Sequence, residues 1–127
     1  QNQPSRKQGK FEEADLLYKR ALAIYEKVYG PDHREVAVTL SNRAKVWRDQ
    51  GKFEEADLLY KRALAIKEKV YGPDHQEVAV TLSNRAGLLR DQGKFEEAGI
   101  MYEGVLAIYE KVYGPDHQEV ATTLSNS

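Results

Sequence analysis

The chain has 127 residues with a formal net charge of −1, and it contains no cysteine. The near-neutral balance gives no global field for gathering nucleic acid or an anionic membrane. The lack of thiols excludes disulfides, thiolate metal sites and a cysteine nucleophile. No apolar run approaches the roughly 20 residues of a membrane span, and the first residues have no signal-peptide core. We therefore expect a cytoplasmic protein. Because the chain opens without Met and stops mid-pattern, we also expect a piece of a longer protein.

The sequence repeats itself with a fixed period. The stretch Gln-Gly-Lys-Phe-Glu-Glu-Ala begins at Gln8, Gln50 and Gln92. The period is 50 − 8 = 92 − 50 = 42 residues, and self-similarity at such a spacing indicates a solenoid array. The prediction is one array over residues 1–127, with units 8–49, 50–91 and 92–127, the last one truncated.

The first complete helix is predicted over Phe11–Tyr29, because apolar residues recur there every three or four positions. The polar stretch Gln1–Lys7 is interpreted as the tail of an earlier helix, and Gly9 as a turn. Gly30 is predicted to cap the end of the first helix, and Pro31 prevents it from resuming.

The next helix is predicted to begin at Asp32 and to run to about Asp49, with Asp32 and Glu35 forming a capping box. The pattern then recurs. Further helices are predicted over 53–71, from Asp74 to about 91, over 95–113, and from Asp116 to the end. Helices that follow Gly-Pro-Asp-His are termed A helices, and those that follow Gln-Gly-Lys-Phe are termed B helices. The predicted fold is all-α, in the order B-A-B-A-B-A.

The third unit departs most from the other two. Gly99 and Gly104 replace Asp57 and Arg62 within its B helix. Glycine in a helix interior costs roughly 1 kcal/mol relative to alanine, so we predict that this is the softest of the B helices.

Each unit resembles a tetratricopeptide repeat, in which large, small and aromatic residues alternate across two helices and a glycine turn. The family pattern is matched twice in the sequence. The first set of matching residues is Leu40, Ala44, Trp47, Gly51, Phe53, Ala56, Tyr60, Ala63 and Leu64. Those in the second are Leu82, Ala86, Leu89, Gly93, Phe95, Ala98, Tyr102 and Leu106. The 42-residue unit is similar to the subtype of kinesin light chains and of STAND-type receptors. The resemblance implies a right-handed superhelical solenoid of antiparallel helix pairs.

The resemblance also implies a peptide-binding surface on the concave side, lined by the A helices. In similar proteins an asparagine at one A-helix position bonds the peptide backbone, and Asn42, Asn84 and Asn126 occupy that position here. Lys45, Arg48 and Arg90 lie about a turn further on and favour an acidic ligand. The candidate binding residues are therefore Asn42, Lys45, Arg48, Asn84, Arg90 and Asn126.

Arg43 and Arg85 depart from the family pattern, because the family usually has leucine there. Two interpretations remain open at this point. The arginine forms a structural pair with a neighbouring helix, or it adds positive charge to the binding surface.

The sequence shows no pattern typical of catalysis or of a cofactor site. The three histidines, His33, His75 and His117, lie one repeat apart and are not expected to converge on a metal. Adjacent glutamates such as Glu12 and Glu13 splay around a helix, whereas acid–base catalysis needs carboxylates held across a cleft. We predict no enzyme activity, no cofactor and no metal.

The predicted function is a protein–protein interaction scaffold that binds a peptide or protein, with neither nucleic acid nor membrane as partner. The alternative is a self-associating repeat fragment, or an engineered or model array, that forms head-to-tail or domain-swapped homo-oligomers. In that alternative the first B helix and the last A helix each lack a partner, and each offers its apolar face to another copy.

Overall fold

The computed structural model describes the backbone of residues 6–126 and the side chains of residues 9–125. This part of the chain contains six α-helices and no strand. The helices are α1 (Arg6–Tyr29), α2 (Arg34–Asp49), α3 (Phe53–Tyr71), α4 (Gln76–Asp91), α5 (Phe95–Tyr113) and α6 (Gln118–Asn126). The predicted all-α fold and the helix order are confirmed. The B helices are α1, α3 and α5, and the A helices are α2, α4 and α6.

Each B helix ends at a glycine whose φ is positive. The values are 94° at Gly30, 87° at Gly72 and 93° at Gly114. The Gly30 amide donates to the Glu26 carbonyl at 3.0 Å, and the other two glycines make the equivalent bond. A side chain is strained in this backbone region, which glycine enters freely. The predicted ends of the B helices are confirmed.

Each A helix begins after a histidine, not after the aspartate predicted as its cap. His33 has extended backbone angles, and its Nδ1 accepts the backbone N–H of Glu35 at 3.1 Å. His75 makes the same bond to the Glu77 amide at 3.0 Å. The assignment of Asp32 as the N-cap was therefore wrong by one residue. Imidazole Nδ1 reaches the second amide of the helix and satisfies it as a carboxylate oxygen would.

The capping histidines are held in place by tyrosines at the ends of the preceding B helices. The ring of Tyr29 stacks on His33 with centroids 4.3 Å apart. Tyr71 with His75, and Tyr113 with His117, repeat the arrangement at 4.5 Å and 4.3 Å. This stacking orients Nδ1 toward the helix start. As the acceptor of this bond, Nδ1 offers its lone pair to the backbone N–H.

The turn predicted at Gly9 does not form, because α1 runs through that residue without interruption. At Gly51 the chain does turn, with φ at 82°, and the Gly51 amide donates to the Arg48 carbonyl at 2.9 Å. Glycine is compatible with either conformation, and each residue added to a helix gains a backbone hydrogen bond. Ahead of Gly9 the described residues 6–8 continue the helix. Arg6 and Lys7 therefore belong to α1 and not to the tail of an earlier helix, so that interpretation was wrong for these two residues. Its remaining residues, 1–5, lie outside the described part of the chain.

The chain divides into two compact units, one ending at Ile66 and one beginning at Lys67, so that the division falls within α3. In unit 1 the core forms where α1 and α3 contact α2. Its buried members are Leu22, Val36, Ala37, Leu40, Ala63 and Ile66. The α2 members are spaced by one, three and four positions, as expected for one face of a helix. The proposed repeat boundaries at residues 8, 50 and 92 remain a prediction.

Unit 2 contains the end of α3 together with α4, α5 and α6. Its largest completely buried side chains are Leu88 and Leu89 on α4 and Val105 on α5. Among the family-pattern residues Ala86, Ala98 and Tyr102 are buried as well. Phe95, by contrast, is 67% exposed although it is one of the residues that carry the resemblance. Phe95 is the first residue of α5.

Candidate functional site

Of the candidate binding residues, Asn42 and Lys45 lie on the side of α2 that faces away from the core. On α2 the buried residues include Val36, Leu40 and Ala44, whereas Val38 and Asn42 are exposed. A helix turns by about 100° per residue, so positions two apart point in nearly opposite directions. We use the term A-helix stripe for Val38, Asn42 and Lys45 on α2 and for Val80 and Asn84 on α4.

In unit 1 the stripe combines an apolar, an amide and a cationic side chain. Val38, Asn42 and Lys45 are all exposed. Asn42 follows Val38 by one turn, and Lys45 continues along the same side of the helix. The Asn42 amide can donate and accept hydrogen bonds, and Lys45 supplies a positive charge.

In unit 2 the stripe has the same valine and asparagine but no lysine. Val80 is exposed and Asn84 is half-buried. Gly87 takes the place of Lys45, and it is buried. On this side α4 is therefore less positive than α2. The side chain of the third predicted asparagine, Asn126, lies outside the described residues.

The two arginines of the predicted site are engaged with tyrosines of the B helices. Burial raises the pKa of the Tyr60 phenol, and the positive charge of Arg48 partly opposes that rise. In unit 2 the Arg90 guanidinium lies over the Tyr102 ring, 5.9 Å from its centroid. Cations attract the faces of aromatic rings, so Arg90 helps to hold α4 to α5. Their predicted contact with a ligand stays a prediction.

Arg43 forms a structural pair, which is the first of the two interpretations offered from the sequence. Its Nε donates to Asp15 Oδ1 at 2.6 Å. The same oxygen accepts a hydrogen bond from Trp47 Nε1 at 2.9 Å. The guanidinium also lies over the Trp47 ring, 4.5 Å from its centroid. Asp15, Arg43 and Trp47, here termed the Asp15 cluster, join α1 to α2 and are directed away from the A-helix stripe.

A second ion pair, not predicted from the sequence, lies in unit 2. The Lys67 ammonium is 3.3 Å from Glu77 Oε1, and the Lys67 side chain is almost completely buried. Tyr25 and Tyr109 occupy the equivalent position in the other units. Burial raises the pKa of Tyr109, and the Glu119 carboxylate, the Tyr113 phenol and the Glu77 carboxylate act in the same direction. The one signal for this pair was the change from Tyr25 to Lys67 between otherwise near-identical units.

Two further features bear on the kind of site that the described residues can form. Within residues 6–126, no helix combines the length and the apolarity that crossing a membrane requires. Among the described side chains, no three histidine, aspartate or glutamate groups are arranged to hold a metal ion. His33 and its two equivalents act instead as helix caps.

The Tetratricopeptide repeat family profile matches residues 5–69, 49–98 and 77–127, which together span almost the whole chain. The chain belongs to the tetratricopeptide repeat (TPR) family. TPR arrays are generally protein–protein interaction scaffolds, and the TPR fold is typically non-catalytic. No curated protein matches the chain at a significant level.

Solved TPR structures have the same fold. The crystal structure of BtubC (BKLC) from P. vanneervenii aligns with a TM-score of 0.81 at 24% identity, covering 95% of this chain and 48% of that one. A Podosopora anserina protein, described as a kinesin light chain with nearly identical TPR-like repeats, aligns with a TM-score of 0.79 at 23% identity. That alignment covers 94% of this chain and 56% of the other. A point variant of the same protein aligns with a TM-score of 0.78 at 23% identity, covering 94% of this chain and 56% of the other. This TPR chain thus spans about half the length of the structures it matches.

The resemblance to kinesin-light-chain-like TPR arrays is therefore confirmed, and with it the solenoid fold class. Against that background the Asp15 cluster explains the departure from the family pattern at Arg43. The arginine is accommodated at a position where TPR units usually have leucine because α1 supplies a carboxylate.

Proposed function

We propose that this chain is a non-catalytic scaffold that binds an extended peptide or protein segment along the A-helix stripe. The observation that carries the proposal is the recurrence of an exposed valine followed one turn later by asparagine, at Val38 and Asn42 and again at Val80 and Asn84. An amide both donates and accepts, so it suits a peptide backbone of any sequence. The neighbouring valine offers an apolar contact for a ligand side chain.

The charge of the stripe supports an acidic segment in the ligand next to α2. The first two repeats differ at only five positions, and two of these changes remove a positive charge from the A helix. Arg34 becomes Gln76, and Lys45 becomes Gly87. Both Arg34 and Lys45 are exposed. Acidic segments of a ligand should therefore prefer the stripe residues of α2 to those of α4.

The setting that we propose for this scaffold is the cytoplasm, with a protein partner and with neither nucleic acid nor membrane. TPR chains typically act without catalysis, and no reaction is assigned to these side chains. Fractionation of cells that express the parent protein tests the location.

The binding proposal is tested by panning peptide libraries and then measuring fluorescence anisotropy with the peptides selected. Asn42→Ala and Asn84→Ala should each weaken binding by about threefold to tenfold, because one hydrogen bond contributes roughly 0.5–1.5 kcal/mol. Lys45→Glu should weaken binding of acidic peptides, and the difference from the parent protein should shrink as salt is added. Lys19→Glu is the matched control, because it makes the same charge change on an exposed part of α1.

The outcomes distinguish the surface from the function. If peptides bind and Asn84→Ala leaves their affinity unchanged, the A-helix stripe is the wrong surface although the scaffold function survives. If Lys19→Glu weakens binding as much as Lys45→Glu, general charge accounts for the effect. If no peptide of any composition binds, peptide binding by this chain is rejected.

A further inference from the structure

The B helix α1 exposes apolar residues that the other B helices bury. Ile24 is 53% exposed, whereas its equivalents Ile66 and Ile108 are 4% and 6% exposed. Leu17 is exposed, whereas its equivalent Leu59 packs against the core of unit 1. The difference defines an uncovered face of α1, formed by Leu17 and Ile24, at positions that are covered elsewhere in the chain.

The A helix α6 shows the complementary difference. Leu124 is 57% exposed, whereas Leu40 at the same repeat position is fully buried. Ala121 is exposed, whereas its equivalents Ala37 and Ala79 are fully buried. Leu124 and Ala121 therefore form an uncovered face of α6.

We propose that α6 of one copy of this chain packs against α1 of a second copy, head to tail, in the way that α4 packs against α5 in unit 2. The helix α6 is an A helix and α1 is a B helix, so the two have the same relation as α4 and α5. The proposed contact thus joins an A helix to a B helix, which is the same type of pair that α4 and α5 form within unit 2.

Polar contacts in unit 2 show which side chains would meet at the edge of this interface. Lys111 near the end of α5 donates to Asp74 Oδ2 at 2.6 Å, just ahead of α4. The Tyr113 hydroxyl donates to Gln76 Oε1 at the start of α4. Both contacts join the end of a B helix to the beginning of the A helix that precedes it in sequence.

The same residue types occur near the two uncovered faces, at the end of α1 and around the start of α6. Lys27 and Tyr29 stand two periods, or 84 residues, before Lys111 and Tyr113. Asp116 and Gln118 stand one period, or 42 residues, after Asp74 and Gln76. All four side chains are exposed. Lys27 of one copy can therefore meet Asp116 of the next, and Tyr29 can meet Gln118.

A third contact has its counterpart as well. In unit 1 Arg62 of α3 donates to Glu26 of α1 at 3.3 Å, which joins two successive B helices. The equivalent residues across the proposed interface are Arg20 on α1 and Glu110 on α5. Both are exposed. The charges on the two faces are thus complementary at two positions, with the basic members on α1 and the acidic members on α5 and ahead of α6.

An interface between two different faces leaves one of each unused at the ends of every assembly. Such head-to-tail contacts extend into filaments unless the geometry closes a ring. The average mass of the protein in solution should therefore rise continuously with concentration.

Light scattering coupled to size-exclusion chromatography tests the proposal on the 127-residue chain. The concentration should span roughly two decades, from micromolar to sub-millimolar. We expect the mass to rise above that of the monomer. Ile24→Asp on α1 and Leu124→Asp on α6 should each weaken association by about tenfold or more, because each introduces a charge where apolar contact is expected. Both residues are exposed, so the variants should fold, and circular dichroism checks this.

Charge reversal gives a second measurement that does not depend on apolar contacts. Lys27→Glu and Asp116→Lys should each weaken association about threefold to tenfold, and the double variant should regain most of the loss.

Leu58→Asp is the matched control for Ile24→Asp and Leu124→Asp, because Leu58 is an exposed leucine of α3 outside both faces. Its association should equal that of the parent chain.

The proposal is overturned by a monomer at every concentration, which would leave both faces to a different partner. It is also overturned if association persists unchanged in the folded Ile24→Asp and Leu124→Asp variants, or if Leu58→Asp weakens it equally. Failure of the charge-reversed pair to recover would exclude the predicted register of Lys27 and Asp116.

Discussion

Replacement of Asp15 by alanine should destabilise unit 1 by about 2–4 kcal/mol. The Asp15 carboxylate accepts hydrogen bonds from Arg43 Nε at 2.6 Å and from Trp47 Nε1 at 2.9 Å. The Arg43 side chain is 11% exposed and that of Asp15 is 19% exposed. Asp15→Ala therefore leaves a nearly buried guanidinium without its carboxylate, together with an indole N–H that has lost its acceptor.

The magnitude follows from these two losses. Removing one partner of a buried ion pair typically costs about 3–5 kcal/mol. The pair here retains some access to water, and the Trp47 ring continues to attract the Arg43 cation. These two effects bring the expected cost down to about 2–4 kcal/mol.

Arg43→Leu restores the residue type that the family resemblance implies, and the double variant Asp15→Leu/Arg43→Leu removes both charges together. An apolar pair of similar volume often matches a buried ion pair in stability. We therefore expect the double variant to lie within about 1–1.5 kcal/mol of the parent protein, with most of the remaining cost due to the Trp47 N–H.

Urea denaturation followed by circular dichroism measures these differences, with hydrogen exchange of α2 amides as a local check, because repeat arrays need not unfold in one step. The reasoning is refuted if Asp15→Ala falls within about 0.5 kcal/mol of the parent protein. It is equally refuted if the costs of Asp15→Leu and Arg43→Leu, measured singly, add without coupling in the double variant.

Three further predictions concern a phenol, a cap and two glycines. Burial raises the pKa of Tyr60 and of Tyr109. Their contribution to stability is thus complete below the unfolded phenol value of about 10 and is lost as the pH rises toward the folded values. Tyr60→Phe should reduce this alkaline loss, as measured by urea midpoints between about pH 8 and pH 11; an unchanged slope would contradict the assignment. His33→Ala should cost about 1 kcal/mol, whereas His33→Asn should retain most of the stability because its amide oxygen can accept the same N–H; equal losses in thermal melts would refute the cap. Gly99→Ala and Gly104→Ala should each stabilise α5 by about 0.5–1 kcal/mol, since an added Cβ meets no atom within 4 Å at Gly99 and lies 3.9 Å from Leu82 Cδ1 at Gly104. In the parent protein the amides of α5 should exchange faster than those of α3, and in the variants the α5 amides should exchange more slowly than in the parent. If the parent α5 already exchanges more slowly than α3, the prediction is wrong.

The helices could be predicted because their signals are local and repeated. Gly30 followed by Pro31 ends a helix whatever lies around it, since glycine enters the positive-φ region freely and proline lacks an amide donor. Gly9 shows the limit of that reasoning. The same dipeptide Gly-Lys forms a turn at Gly51 and continues a helix at Gly9. The dipeptide itself therefore does not decide between a turn and a helix.

The histidine cap was missed for a different reason. Asp32 and His33 are adjacent, and both can offer an acceptor to the first amides of α2. Propensity favours aspartate, but the ring of Tyr29 stacks on His33 and orients its Nδ1. A contact between side chains of two helices thus decided the choice, and single-residue preferences contain no information about it.

The Asp15 cluster could have been found from the sequence by comparing repeats with one another. Where Asp stands at position 15 or 57, Arg stands 28 residues later, at 43 or 85. Gly99 in the third unit is followed by Ser127 at the same separation. The two residue types thus appear and disappear together, which is the pattern that a direct pair produces.

The two proposals use different sides of the same kind of helix, and this makes them separable by mutation. On α2 the side that contacts B helices carries Leu40, whereas Asn42 and Lys45 are exposed on the other side. On α6 the position equivalent to Leu40 is Leu124, which is the face proposed to meet a second copy. A copy bound there covers the position of Leu124 and leaves that of Asn42 open. Lys45→Glu should therefore reduce peptide affinity at unchanged association, and Ile24→Asp should weaken association at unchanged peptide affinity per chain. If either variant impaired both properties in a folded protein, the assignment of binding and assembly to opposite sides of the A helices would be wrong.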